Sequence, residues 1–153
     1  MKVVTALHRP AALLAGMLAC AGLLAFAEWS GSGGASQPSV QVVHITERDF
    51  HIRSPRRIAP GRVRLVVTND GPDLHELIVV RDPDGARLPL RTDGLTVNED
   101  ALAPEEVGSL EPGVPGSVRG LTLRLRPGRY EIFCNMAGHY MSGMHAVLLV
   151  GQP

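Results

Sequence analysis

The sequence predicts an all-β fold, a Greek-key β-sandwich, from three observations. Apolar and polar residues alternate over 63–68 and again over 121–126, which is the period of strands with one buried face. Turn signals such as Pro-Gly and Asn-Asp-Gly-Pro separate the apolar segments at short intervals. Only one stretch favours a helix: Asn98 is a candidate N-cap, so a short helix or turn is expected in the 95–105 region. Many short strands joined by turns are typical of such a sandwich.

The N-terminal segment differs from the rest of the 153-residue chain. Lys2 and Arg9 precede an unbroken run of apolar or small residues, Ala11–Ala27, which ends in a small-x-small cleavage pattern. We therefore expect residues 1–27 to be a secretory signal peptide. Two alternatives stay open: an uncleaved membrane anchor through residues 11–27, and a lipoprotein cleavage site at Cys20.

Cleavage would leave a Gly/Ser-rich linker, residues 28–39, in front of one domain, residues 40–153. It would remove two of 15 basic residues and none of 15 acidic ones, for a net charge of about −2. That charge favours neither nucleic acid nor an anionic membrane as a partner, and membrane contact is expected only if the N-terminal segment is retained. We expect an exported monomer that is periplasmic, at the cell surface or secreted.

One segment, residues 133–145, combines the single cysteine of this domain with two histidines and three methionines. Strand alternation places Cys134 on the core side of its strand, in phase with Tyr130 and Ile132. Without Cys20 no disulfide can form within the chain, so the thiol is either a buried, inert residue or has a task.

The donor atoms in this segment have a regular spacing. Cys134, His139 and Met144 follow one another as C-x4-H-x4-M. A second imidazole must come from elsewhere, and His75 lies after a turn at the head of a predicted strand. Two histidines, one thiolate and a weak axial methionine form the trigonal site that selects copper for electron transfer.

Residues 40–150 resemble the cupredoxins, the family of blue copper proteins. The segment 128–134 is similar to the family's strand before the ligand cysteine, 137–144 to its ligand loop, and 69–71 to its first-ligand turn. The resemblance implies a cupredoxin-like sandwich that binds one type 1 copper ion. Carried over position by position, the ligands are His75, Cys134, His139 and Met144.

The resemblance also implies a function, that of an electron carrier with transient redox protein partners and no enzymatic activity. Copper enzymes with this fold need further histidine pairs, and no His-x-His motif occurs here. The alternative is a copper carrier or chaperone of the cell envelope, which the methionines favour weakly. We expect electrons to pass through His139, ringed by Ala137 and Met141. The turn-rich segment 81–118 is long for a single connection, and the sequence leaves its role open between a plain connection and a contribution to partner specificity.

Other residues near the expected site are assigned different places. Many cupredoxins have Asn directly after the first histidine, where it braces the cysteine loop, but this chain has Glu76. Met136 and Met141 are weaker axial candidates, because only Met144 has the family's spacing. We expect surface positions for His44, His51 and His145, a packing position for Phe133 and a rim position for Tyr140.

Overall fold

The computed structural model of the chain describes residues 39–82 and 84–151. The expected signal peptide and the linker up to residue 38 lie outside these residues. Within the described ranges, no helix has the length and apolar character needed to cross a membrane.

Nine strands in this part of the chain form two sheets, which confirms the predicted β-sandwich. The strands are β1 (Gln41–Arg48), β2 (His51–Arg53), β3 (Arg57–Ile58), β4 (Gly61–Asn69), β5 (His75–Arg81), β6 (Glu106–Gly113), β7 (Val118–Leu125), β8 (Gly128–Phe133) and β9 (His145–Val150). The first sheet has the order β2-β1-β4-β7 and the second the order β3-β9-β8-β5-β6. Strands β1 and β4 are parallel, as are β3 and β9, and the other named pairs are antiparallel.

The core lies between the two sheets and follows the alternation of the sequence. Val63, Leu65 and Val67 of β4 are 0% exposed, while the alternating residues Arg62 and Arg64 are exposed. One core cluster joins these side chains to Ile132 of β8 and Leu148 of β9. Each fully buried side chain of this size contributes about 1.5–3 kcal/mol, so the alternation determines which face of each strand turns inward.

The expected short helix is present, and its cap explains where it begins. Helix α1 spans Glu99–Leu102, and the side-chain oxygen of Asn98 accepts a hydrogen bond from the backbone N–H of Ala101 at 3.4 Å. Two acidic residues in the first turn, Glu99 and Asp100, also favour the helix N-terminus electrostatically.

Segment 81–118 differs from the expected single long connection. Its second half is β6, the edge strand of the second sheet beside β5. In its first half, Leu88 and Val97 join a second apolar cluster with Phe133 and Tyr140. Tyr140 is therefore buried, 5% exposed, and the expectation that it lies on the rim is wrong. The first half of segment 81–118 packs against the ring of Tyr140 and covers it. Local sequence does not reveal this arrangement.

A buried ion pair joins β1 to β7. Strand alternation points Glu47 into the core with Val43 and Ile45, and its side chain is 0% exposed. Its carboxylate lies 2.5 Å from Nη2 of Arg119. Burial raises the pKa of Glu47 to about 7, although the Arg119 guanidinium opposes this shift. Arg119 therefore compensates a carboxylate that the core would otherwise hold unpaired.

Replacing Arg119 by Met should lower the free energy of unfolding by about 3–5 kcal/mol, because Glu47 would lose its counter-charge. The loss should be smaller at pH 5 than at pH 8. A carboxyl whose pKa rises from 4.5 to about 7 on folding is largely protonated in the folded chain at pH 5 and needs no counter-charge there, whereas at pH 8 it is largely ionised and depends on Arg119. Urea unfolding of the full chain at both pH values measures the effect. Arg124→Met, on the exposed face of the same strand, is the control, and an equal loss at both pH values would contradict the assignment.

Candidate metal centre

Three of the four predicted ligands lie together at one end of the sandwich. The donor atoms of His75, Cys134 and His139 are all within 4.8 Å of one another and could hold a metal ion. Both imidazoles present Nδ1 to the sulfur: Sγ of Cys134 lies 4.0 Å from Nδ1 of His75 and 3.6 Å from Nδ1 of His139.

Strand pairing explains how residues 59 positions apart in the chain meet. His75 is the first residue of β5, and Cys134 directly follows β8. The two strands are antiparallel, with Ile78 opposite Phe133. The start of one strand therefore lies beside the end of the other.

The loop that carries the other ligands is closed by its own backbone hydrogen bonds. The N–H of Cys134 donates to the carbonyl of Met144 at 3.1 Å, and the N–H of Met144 donates to the carbonyl of His139 at 3.0 Å. The N–H of His139 in turn donates to the carbonyl of Met136 at 2.9 Å. Gly143 permits the tight turn before β9 with φ of 101°, a value that other residues rarely adopt. These bonds hold His139 over the end of β8.

The three methionines of the segment differ in burial. Met144 directly precedes β9, is 0% exposed and belongs to the same core cluster as Cys134. Met136 is half-buried at the edge of this cluster. Met141 is 41% exposed, and its sulfur accepts a hydrogen bond from Arg87 at 2.8 Å. Met144 is thus the one fully buried methionine of the three and shares its core cluster with the thiol.

The surroundings of the thiol suit a metal-bound thiolate. Cys134 is 0% exposed, and burial raises the pKa of its thiol to about 11. The backbone N–H groups of Glu76 and Met136 act against this shift by hydrogen bonding to the sulfur. Burial also lowers the pKa of His75, so this imidazole is neutral at neutral pH. A sulfur and two imidazole nitrogens together fit a soft divalent or monovalent metal, and the amide N–H groups can bond to the sulfur as a thiolate.

Glu76 occupies the position after the first histidine and contacts the cysteine loop there. Its carboxylate accepts a hydrogen bond from the backbone N–H of Asn135, the residue after Cys134, and burial raises its pKa. The Asn135 side chain also bonds both backbone groups of Val97, at 2.5 Å and 3.0 Å, and a carboxylate oxygen of Glu99 at 2.6 Å. Glu76 therefore braces the cysteine end of the loop, but does so with an acidic group.

Two neighbours of the centre, Asp49 and Phe50, were missed by the sequence analysis. They form the turn between β1 and β2. Oδ1 of Asp49 lies 2.8 Å from Nε2 of His75, and the Phe50 ring packs edge-on against His139 with centroids 5.1 Å apart. Neither residue has a ligand-like spacing in the sequence, because the contacts depend on how the first sheet packs on the second.

Among the described residues, three further histidines are not part of the donor cluster. His44 on β1 and His51 on β2 are exposed, as expected. His145 is also exposed, and its Nδ1 lies 3.0 Å from a carboxylate oxygen of buried Glu131.

Neither a protein-family model nor a curated protein matches the sequence. Solved structures do match. Auracyanin B is 22% identical over 76% of this chain and 91% of its own, with a TM-score of 0.57. Auracyanin A from the green thermophilic photosynthetic bacterium Chloroflexus aurantiacus is 15% identical over 74% of this chain and 100% of its own, with a TM-score of 0.55.

Reduced rusticyanin is also similar, 16% identical over 73% of this chain and 81% of its own, with a TM-score of 0.52. At such identities the likeness concerns the arrangement of strands. The two sheets and their match to the auracyanins and rusticyanin show that this chain has the cupredoxin fold.

Proposed function

We propose that this chain is an exported electron-transfer protein that binds one type 1 copper ion through His75, Cys134, His139 and Met144 and cycles between Cu(I) and Cu(II). The observation that carries the proposal is the buried sulfur of Cys134 with the Nδ1 atoms of two histidines turned toward it. Thiolate and imidazole donors in this number are those of copper electron-transfer sites.

The fold and its relatives support the same function. Auracyanin A is described as a "blue" copper protein and rusticyanin as a copper protein. Their likeness to this chain is one of fold, so the copper proposal also needs the donor set that this chain provides.

A copper ion held by these residues would supply a one-electron couple. The chain's own contribution is to hold the donors still, because electron transfer is fast when little has to move. The loop is fixed by the bonds between Cys134, His139 and Met144. The other histidine begins β5, a strand paired on both sides. Both kinds of support favour a geometry that changes little between oxidation states.

We place the route for electrons at His139. Its ring is half-buried, whereas His75 is 0% exposed. We define the docking patch as the exposed apolar residues near His139 in the fold or in sequence, namely Phe50, Leu95, Ala137 and Met141. The carbonyl of Leu95 accepts a hydrogen bond from Gly138 at 3.0 Å, which keeps that residue beside the loop. Small apolar patches of this kind suit short-lived redox encounters.

Export rests on the N-terminal sequence. A positive start, an apolar run and a small-x-small pattern at Ala25–Ala27 together favour a secretory signal peptide. A single reduced thiol in the domain is consistent with export when the thiol is a metal ligand.

Replacing Cys134 by Ser should abolish the intense visible absorption that we expect from the copper-loaded chain, because that band requires a thiolate–Cu(II) bond. Titration of the full chain with Cu(II), followed by absorption spectroscopy, measures it. His44→Ala, an exposed histidine on β1, should retain the colour. Persistence of the band in the serine variant would refute the site, and a colourless chain that binds only Cu(I) would favour a copper carrier instead.

Replacing Met144 by Leu should preserve copper binding and colour but raise the reduction potential, because the thioether's donation to Cu(II) is lost. A weak axial ligand contributes less to affinity than the equatorial ligands do. Cyclic voltammetry on the copper-loaded variant measures the potential. The matched control is Met136→Leu, which should leave it unchanged. Loss of copper in the Met144 variant, or an unchanged potential, would contradict the axial role.

Replacing Ala137 by Glu should slow electron self-exchange while leaving the visible spectrum unchanged, because a charge in the docking patch opposes desolvation of the encounter. NMR line broadening in mixtures of the oxidised and reduced protein measures the rate. Val42→Glu introduces the same charge on an exposed apolar position of the other sheet and is the control. Equal rates in the two variants would place the electron route elsewhere.

A further inference from the structure

One short turn contacts both imidazoles of the candidate centre. Residues 49–50 connect β1 to β2, and their two side chains meet different histidines. Asp49 reaches Nε2 of His75 at 2.8 Å, while Phe50 packs edge-on against the ring of His139. The contact of Asp49 is polar and buried. It involves Nε2 of His75, the ring nitrogen that is not turned toward the sulfur of Cys134.

The contact between Asp49 and His75 joins two buried polar atoms. Nε2 of His75 and Oδ1 of Asp49 are both buried, and among the described residues neither has another hydrogen-bonding group in reach. The histidine is 0% exposed and the aspartate side chain is 21% exposed. A buried polar atom without a partner is destabilising, so loss of the carboxylate would leave Nε2 of His75 unpaired in the core.

Gly71 encloses this contact from the side. A Cβ atom at this position would lie 2.6 Å from Nε2 of His75 and 2.7 Å from Oδ1 of Asp49. Only glycine at this position leaves room for the carboxylate of Asp49 to contact the imidazole of His75. Any side chain at position 71 would therefore collide with the carboxylate–imidazole pair.

The surrounding backbone fixes where Asp49 stands. Glu47 of β1 lies opposite Asn69 of β4, and the N–H of Asp70 donates to the carbonyl of Glu47 at 2.8 Å. The side chain of Asn69 accepts a hydrogen bond from the N–H of Gly71 at 2.9 Å. The ends of β1 and β4 are thus joined to each other. Asp49 follows the end of β1, and Gly71 follows the end of β4.

We propose that Asp49 is the positioning residue of His75: its carboxylate keeps the ring proton on Nε2, leaves Nδ1 free to bind the metal, and favours Cu(II) over Cu(I) through its negative charge. This inference rests on the proposed copper function. A second partner of a ligand histidine fixes its tautomer and orientation and raises its basicity. Here the partner is a charged side chain, so its charge can be removed without changing the backbone.

Two variants separate the two effects of Asp49. Asp49→Asn keeps an oxygen acceptor for Nε2–H but removes the charge, whereas Asp49→Ala removes both. The control is Asp73→Asn. Asp73 is exposed, lies two residues before His75 and loses the same charge without contacting Nε2.

In the metal-free full chain, nitrogen-15 NMR of the imidazoles reports the tautomer of His75. We expect a proton on Nε2 in the original protein and in Asp49→Asn, and a mixture of tautomers in Asp49→Ala. Because this measurement needs no copper, it tests the positioning role even if the chain proves not to bind copper. An unchanged tautomer in Asp49→Ala would overturn that role.

In the copper-loaded chain, Asp49→Asn should raise the reduction potential above that of Asp73→Asn and weaken Cu(II) binding about 10- to 100-fold, the usual effect of losing such a partner. Circular dichroism of each variant establishes that the sandwich is folded. Equal potentials in the two asparagine variants would overturn the electrostatic part of the proposal. Absence of copper binding in the original protein would instead refute the proposed function, and the NMR result would still stand on its own.

Discussion

The antiparallel pairing of β5 with β8 is the constraint on which the candidate centre depends. It places the first residue of one strand beside the residue that follows the other, so His75 meets Cys134 across the second sheet. A shift of this register by one residue would turn the imidazole to the other face of the sheet. The buried apolar residues of both strands hold the register, which means that packing of the core determines the geometry of the donors.

Hydrogen bonds between residues next to the ligands then fix the positions of the donor atoms. Glu76 and Asn135 follow the two paired ligands directly, and they bond to each other across the strands. Asn135 extends this contact to Val97 and Glu99, which ties helix α1 to the base of the ligand loop. Asp49 performs the corresponding task from the first sheet. Both sheets and the covering segment thus contribute to one small cluster of atoms.

Much of this could be predicted from the sequence, because the signals were local. Alternation predicted the strands and the inward face of β4, and the cap at Asn98 predicted the helix. The spacing C-x4-H-x4-M identified three ligand candidates, and a turn before a strand identified the fourth.

The rest depended on contacts between distant segments. The strand β6 was missed because its sequence is rich in glycine, proline and charge, and it forms only by pairing with β5. Tyr140 was placed on the rim because its loop is polar, whereas the segment that covers it comes from about fifty residues earlier. Asp49 could not be recognised because the packing of one sheet against the other brings it to His75.

The buried thiol of Cys134 has a further consequence. Its sulfur has no exposed surface, and with a pKa of about 11 it is un-ionised at neutral pH. Oxidation to sulfenic acid and cross-linking require an accessible thiolate, so burial protects the metal-free thiol from both reactions.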